Sequence, residues 1–349
     1  MPIKQECQEP LADKIDTNII SLSRFIIEKQ KQAKNATGDY SLVLNALGFA
    51  FKFIAHTVRR AELIHLTGLF GTSNATGDQQ KKLDVLGDEI FINTMASSNI
   101  VKILVSEEQE ELIRFETTEG TYAVCCDPID GSSNIDAGVS VGTIVSLFKI
   151  TSPPSEPGCE QDVLRSGHDM VAACYALYGA STHLLLTLGD GVNGFTLDTN
   201  LGEFILTEPD VRLPTDHPKK IYSVNEGNTC YWDESVKTFF DALKQPQDED
   251  NEPYSARYVG SMVADMHRTV LYGGLYAYPG SSKSRNGKLR LLYEGFPMAF
   301  LIEQAGGKAV NDKGERILDL VPTKIHDKTS IWIGSSRDVD KYLKHIGKL

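Results

Sequence analysis

The chain has 349 residues, 41% of them apolar and 23% charged, a composition that supports a globular protein of about two domains. Thirty-five Lys and Arg stand against 47 Asp and Glu, so the net charge is −12, and nucleic acid or an anionic membrane is disfavoured as a partner by long-range repulsion. A small anionic substrate remains compatible, provided basic side chains or cations reverse the sign locally.

The N-terminal Met1-Pro2-Ile3-Lys4-Gln5-Glu6 lacks the apolar core of a signal peptide. No charge-free apolar run approaches the ~20 residues that span a bilayer, so the expected setting is cytoplasmic. Residues 1–12 are polar. Ser21 or Ser23 is placed to cap a helix carrying Leu22, Phe25 and Ile26. A longer helix is expected after Thr37-Gly38-Asp39, where Leu42, Leu44, Leu47, Phe49, Phe53 and Ile54 keep helical spacing, and a third from about Leu83 to Met95. From residue 101 the pattern changes to strands, at 101–105, 121–126, 139–149, 170–178, 183–188, 194–198 and 203–207. The stretch 152–158 reads as a surface loop and 209–220 as a connector, which sets expected domains of 1–208 and 209–349. Beyond it, helices after Trp232, Ser261 and Glu294 alternate with strand-like runs at 219–224, 274–278 and 329–334, an α/β (α+β) pattern.

Gly189-Asp190-Gly191-Val192-Asn193-Gly194 matches the dinucleotide fingerprint, but Phe195-Thr196-Leu197-Asp198 alternates like a strand where a helix is required. A hairpin turn is the expected structure. Cys7, Cys125, Cys126, Cys159, Cys174 and Cys230 form no C-x-x-C pair, and Cys125 and Cys126 are expected on opposite faces of one buried strand. His56, His65, His183 and His267 occur singly and read as packing or surface residues.

The segment Asp127-Pro128-Ile129-Asp130-Gly131-Ser132-Ser133-Asn134 is the most informative. Apolar Tyr122–Cys126 delivers the two aspartates to the C-terminal end of a strand, where α/β folds place ligands. They and the Ile129 carbonyl are able to share a hard cation, and Gly131 with the hydroxyl residues is able to aim N–H groups at phosphate. Taken alone, the segment is equally a helix-capping turn. Further acids shift the balance: Glu107 and Glu108 at a strand end, Asp78 and Asp84 around a helix start, and Glu294 between apolar neighbours. Each alone reads as structural, with Glu294 paired to an arginine. Together they make an all-oxygen set that favours Mg²⁺ or Mn²⁺ over structural zinc. Lys283, Arg285, Lys288 and Arg290 form the basic counterpart, either a solvated face or a phosphate pocket.

With those residues assembled, Asp127–Asn134 resembles the signature of the lithium-sensitive, metal-dependent sugar and inositol phosphatases. Lys288-Leu289-Arg290-Leu291-Leu292-Tyr293-Glu294, Ala256–Asp265 and Tyr175-Ala176-Leu177-Tyr178-Gly179 are narrower and resemble the fructose-1,6-bisphosphatases, over about residues 16–345. Lys81–Ile90 is similar to the fungal cytosolic form.

The resemblance implies a two-domain, layered α/β/α/β/α fold, a homotetramer, and Mg²⁺-dependent hydrolysis of the 1-phosphate of fructose 1,6-bisphosphate in gluconeogenesis, with Mn²⁺ or Zn²⁺ as substitutes for Mg²⁺. It implies metal ligation by Asp78, Glu107, Asp127, the Ile129 carbonyl, Asp130 and Glu294, and water activation by Asp84 and Glu108. Substrate contacts are implied for Asp130, Gly131, Ser132, Ser133, Asn225, Tyr258, Gly260, Ser261, Met262, Tyr278, Lys288, Leu289 and Arg290, with Arg257 reaching in from a neighbouring subunit. Asn228, also in that group, stands where the family usually has a tyrosine.

Inhibition by AMP is implied at Thr37, Gly38, Asp39, Tyr40 and Ser41 with Thr121, Tyr122 and Lys149. Thr121 replaces a lysine and Lys149 an arginine of the animal pattern, so weakened AMP binding is expected. The 152–168 loop carries only Cys159, so thioredoxin control is not expected. An inositol-phosphate or sedoheptulose-bisphosphate phosphatase is the nearest rival reading. A non-catalytic sugar-phosphate or AMP sensor is disfavoured, because every candidate acid is retained.

Overall fold

The computed structural model describes residues 18–33, 36–74, 79–116, 120–216, 218–246 and 252–349. Helix α1 (Leu22–Gln32) begins at Ser21, whose hydroxyl accepts from the Arg24 N–H. Helix α2 (Asp39–Val58) starts after Gly38, and helix α3 (Lys82–Ser98) follows a short hairpin of β1 (Leu69–Ser73) and β2 (Gln79–Lys81). That hairpin is absent from the sequence reading.

Eight strands then form one sheet: β3 (Val101–Ser106), β4 (Ile113–Arg114), β5 (Tyr122–Asp130), β6 (Val141–Lys149), β7 (Met170–Tyr178), β8 (Thr182–Thr187), β9 (Val192–Asp198) and β10 (Glu203–Glu208). Their order is β10-β9-β8-β7-β6-β5-β3-β4, and only β3 and β5 run parallel. β8 and β9 form an antiparallel hairpin across residues 188–191, so the glycine-rich segment is the expected turn.

The second sheet has five strands in the order β12-β11-β13-β17-β15. These are β11 (Ile221–Ser223), β12 (Ser255–Ala256), β13 (Leu275–Tyr278), β15 (Lys308–Val310) and β17 (Ile331–Gly334), and a two-strand pair, β14 (Leu289–Arg290) with β16 (Lys328–Thr329), lies apart. Helices α4 (Glu234–Leu243), α5 (Met262–Tyr272) and α6 (Phe296–Gln304) fall where the sequence places them, and α7 (Ser336–His345) is additional.

Among the described residues, three cores define the layers. Leu47, Phe51 and Phe91 of α2 and α3 pack with Val124, Cys126 and Leu147 on one face of the large sheet. Cys125, Ile144 and Tyr175 on the other face pack with Met266 of α5 and Met298 of α6, which also meet Tyr276 and Ile333 of the small sheet. Phe239 and Phe240 of α4 and Tyr342 of α7 cover the far side of that sheet around Trp332. The result is an α/β/α/β/α sandwich. The period-2 geometry of a strand explains why Cys125 and Cys126 enter different cores.

Helix α2 is the long apolar helix expected after Gly38. Despite Asp39 and Lys52 it is long and apolar enough, by length and composition, to cross a membrane, and half of the window that qualifies is buried inside the protein. Its inner face packs on α1 and α3, while Leu42, Phe49 and Phe53 remain exposed. Two of the histidines pack against each other, the His183 and His267 rings lying 4.9 Å apart at a tilt of 34°, and burial with His183 alongside lowers the His267 pKa to about 4.

Candidate active site

In a regular strand, residues three apart face opposite sides of the sheet. Asp127 and Asp130 escape that rule because β5 slips in register against β6 between them: Asp127 pairs with Ile144 but Asp130 with Gly142. Both aspartates therefore lie inside the strand's end, one step earlier than the turn expected from sequence. Pro128 sits in the irregularity, its carbonyl accepting from Thr143 Oγ1 at 2.7 Å. Gly131 follows at φ +76°, and a Cβ there would approach Ser261 Cβ to 2.7 Å, so this residue must be glycine for α5 to dock.

Glu294 reaches the same point from the C-terminal half. It lies on a π-helical turn, Leu291–Gly295, that Ser146 of β6 pins by donating to the Leu292 carbonyl at 2.6 Å. Carboxylate atoms of Asp127, Asp130 and Glu294 lie within 4.8 Å of one another, all buried. Asp130 is further held by α5, accepting from Ser261 Oγ (2.7 Å), Met262 N–H (3.2 Å) and Val263 N–H (2.8 Å).

Glu107 follows β3 and lines the cavity, but its carboxylate pairs with Arg290 Nη2 at 2.7 Å. Arg290 also lies 3.7 Å from Glu294, and its N–H donates to Glu294 Oε2 at 2.5 Å. The guanidinium expected against phosphate is thus engaged by two acids. Glu108 accepts from Gln80 at 2.5 Å. Asp84, in the first turn of α3, accepts from the Lys81 N–H at 2.7 Å through Oδ2, while Oδ1 is buried with no partner among the described residues.

Burial dominates the electrostatics. It raises Asp84 to about 6 and Glu108 to about 8, the latter also through repulsion by Asp84, Glu107 and Asp88. It raises Glu294 to about 8 against the pull of Arg290, and Asp130 to about 6 against its bonds to α5. Asp127 is pushed well up by burial and then by Glu107, Asp130 and Glu294. Acids so placed are short of positive charge.

These groups line a cavity of about 420 Å³ together with Ile129, Gly131, Ser132, Ser133, Asn225, Tyr258, Gly260, Met262, Tyr278, Lys288 and Leu289. Ser261 is buried behind it. Asn228 lies in a small adjoining pocket with Asn225 and Tyr278, and Arg257 in a separate basic groove with Lys219, Lys220 and Arg268. Asp78 lies outside the described residues.

Four lining or neighbouring residues were missed from sequence: Asn74, Lys81, Tyr276 and Asp88. Asp88 follows Asp84 by one helical turn and is buried, so the i, i+4 acid pair was its available signal.

The other predicted group gathers at the far end of β5. Tyr122 pairs in register with Lys149, Thr121 precedes it, and the Tyr40 ring lies 5.6 Å from that of Tyr122. Tyr40 donates to the Val171 carbonyl at 2.6 Å, and Ser41 bonds Gln30. Thr37 Oγ1 faces the Asp39 N–H at 3.5 Å, with Gly38 in the left-handed region between them.

A five-layer α/β sandwich whose central cleft pools buried carboxylates beside Lys288 is that of a metal-dependent sugar phosphatase. Residues 20–209 match the family described as fructose-1-6-bisphosphatase, N-terminal domain, and residues 215–346 its C-terminal domain. The chain is 72% identical over 334 residues to fructose-1,6-bisphosphatase of Saccharomyces cerevisiae, covering 95% of each chain, and 57% identical over 348 residues to that of Schizosaccharomyces pombe, covering 96% of this chain and 98% of the other. The crystal structure of Leishmania major fructose-1,6-bisphosphatase in holo form superposes with a TM-score of 0.87 at 44% identity, over 94% of this chain and 98% of that one. The chain belongs to the fructose-1,6-bisphosphatase family.

Proposed function

We propose that this cleft is where the chain hydrolyses fructose 1,6-bisphosphate to fructose 6-phosphate and phosphate, the reaction of its family. The observation that carries the assignment is the convergence of Asp127, Asp130 and Glu294 within 4.8 Å, from segments far apart in sequence. An all-carboxylate set, buried and short of counter-charge, suits a hard divalent cation, and we take it to be Mg²⁺ with Mn²⁺ or Zn²⁺ as substitutes. The Ile129 carbonyl, Glu107 and Asp78 would complete the ligands. When bound, such cations neutralise phosphoryl oxygens and stabilise the leaving alkoxide.

The remaining work falls to the chain's own groups. Glu108 and Asp84 would orient the attacking water and take its proton; raised to about 8 and about 6, their pKa values bracket neutral pH, where a general base works best. Asp130 caps α5 while facing the cleft, and Ser132 and Ser133, with the Gly131 N–H, would hold the 1-phosphate. Gly260, Ser261, Met262 and Leu289 shape the wall, and Arg290 orients Glu107 and Glu294. Asn225, Tyr258, Tyr278 and Lys288 would bind the sugar and the 6-phosphate, with Asn228 a step away and Arg257 acting from a neighbouring subunit. That remote contact supplies binding energy for orientation and rejects monophosphates.

AMP inhibition belongs to the same proposal, at Thr37–Ser41 with Thr121, Tyr122 and Lys149, and with reduced affinity because a threonine and a point charge stand where the animal pattern has a lysine and a planar arginine. A homotetramer is supported by the exposed Leu42, Phe49 and Phe53 along α2. Division into 1–208 and 209–349 is supported by the break between the two family matches, at 209–215. A cytoplasmic setting is supported by rice relatives named cytosolic fructose-1,6-bisphosphatase, and a gluconeogenic role belongs to the same proposal.

Phosphate release from fructose 1,6-bisphosphate tests the reading. Turnover should require Mg²⁺, stop on EDTA, and be depressed by AMP only at elevated concentration. Full turnover in EDTA would remove the cation assignment, and indifference to millimolar AMP the regulatory one.

A further inference from the structure

The strap of residues 257–261 joins the small sheet to α5 and carries Tyr258 and Gly260 to the cleft wall. Little in the strap fixes its own shape. Tyr258 and Val259 are exposed, and Gly260 is at φ +91°, a conformation held from outside.

Two carboxylates hold it. At and just beyond its C-terminal end, Asp130 takes the Ser261 hydroxyl and the Met262 and Val263 N–H groups. At the centre, Asp265 of α5 turns back and collects the Val259 N–H at 3.0 Å and the Gly260 N–H at 3.0 Å. Asp265 is fully buried and lines no cavity described above. It also accepts from Ser223 Oγ of β11 at 2.8 Å and from Arg268 Nη2 at 2.7 Å. The same Arg268 nitrogen donates to the Arg257 carbonyl at 2.8 Å, so the guanidinium ties the start of the strap to the carboxylate that holds its middle. Sheet, strap and helix meet on one charged group whose lone pairs are all engaged.

We propose that Asp265, with Arg268 as its counter-ion, is the positioning residue that sets the strap for recognition of the distal phosphate. It touches no substrate; it acts by fixing where Tyr258, Gly260 and Arg257 sit. The proposal rests on the reading that this wall, with Lys288, receives the 6-phosphate. The 1-phosphate end is built on β5 and α3, and its tie to α5 runs from Asp130 to Ser261, Met262 and Val263 and not to Asp265, so the two ends of the substrate should respond separately.

The test uses the full-length protein with Mg²⁺ and two substrates, fructose 1,6-bisphosphate and fructose 1-phosphate, which lacks the distal group. Asp265→Asn puts an amide donor among four donors, and Arg268→Gln, at a side chain 18% exposed, removes the link to the Arg257 carbonyl. In both variants KM for the bisphosphate should rise by about tenfold or more while kcat falls less than about threefold, and kcat/KM for fructose 1-phosphate should change less than about threefold. Arg268→Lys keeps the charge on Asp265 and should restore most of the bisphosphate KM. Arg268→Gln carries the test by itself if Asp265→Asn does not fold.

An unchanged bisphosphate KM in folded Arg268→Gln would overturn the proposal, as would an equal loss of kcat on both substrates, the mark of a merely structural role. Lys288→Ala separates the two levels of argument. If it raises the bisphosphate KM while Arg268→Gln does not, the positioning role alone falls. If Lys288→Ala leaves that KM unchanged, the reading of the wall falls and takes the positioning role with it.

Discussion

Asp162 and Asp84 are both buried acids, exposed by 1% and 4%, yet they titrate in opposite directions. Around Asp162, burial pushes the pKa up, but the Cys159, Ser152 and Thr151 N–H groups and the Ser152 hydroxyl outweigh it and bring the group to about 2. Among the described residues Asp84 has one backbone donor, from Lys81, help from Ser132 and no partner for Oδ1, and it rises to about 6. Glu108 and Glu294 rise further, among other acids. Burial therefore sets the stakes and donor supply sets the sign. A buried carboxylate the chain satisfies is a structural clip; one it leaves short is a place for a cation or a proton.

The largest expected effect is on turnover. Asp84→Ala removes the proposed proton acceptor from the under-supplied cluster, so kcat should drop by ~10²–10⁴ with substrate still bound. A near-normal rate would place the acceptor elsewhere. Replacing Asp162 should do the reverse: Asp162→Ala strands the buried N–H groups that hold the 151–159 loop, for a loss of ~3 kcal/mol in denaturant unfolding. The loop does not line the cleft, so kcat should stay within about twofold of the parent once the protein is folded. A large kcat loss in folded Asp162→Ala would erase the distinction between the two kinds of acid.

That distinction was only partly legible in the sequence. The long strands and the helices after Thr37, Ser261 and Glu294 were readable because their apolar periodicity is local. The two-residue strands Ile113–Arg114, Ser255–Ala256, Leu289–Arg290 and Lys328–Thr329 were not, since each exists only through a distant partner. Helix α7 carried a signal that was overlooked, with Val339 and Tyr342 buried one turn apart behind a serine. At the site, residue types were readable but geometry was not. Nothing local reveals that β5 slips to bring Asp127 and Asp130 together, or that Arg290 turns to Glu107, 183 positions away. Asp84 and Asp162 look alike in sequence, because the donors that separate them arrive from other segments.

The smallest effect sharpens the comparison most directly, because it reads protons. Glu108 has a pKa near 4.5 when unfolded and about 8 in the cation-free fold, so between those values the folded state binds more protons than the unfolded one. Its contribution to stability is fully present below about 4.5 and is lost as pH rises through about 8. Glu108→Gln cannot ionise and escapes the loss. In EDTA the variant should therefore gain on the parent as pH goes from 5 to 8, by about 2 kcal/mol at the upper end once mutual screening in the cluster is allowed for. Added Mg²⁺ should raise the parent's Tm more at pH 8 than at pH 5, where protons compete for the same oxygens. For Asp162 the linkage has the other sign: its stabilisation is present above about 4 and lost as pH falls through about 2. Parallel pH profiles for Glu108→Gln and its parent in EDTA would mean that the cleft acids are supplied with charge after all, and the contrast between clip and cation site would fail.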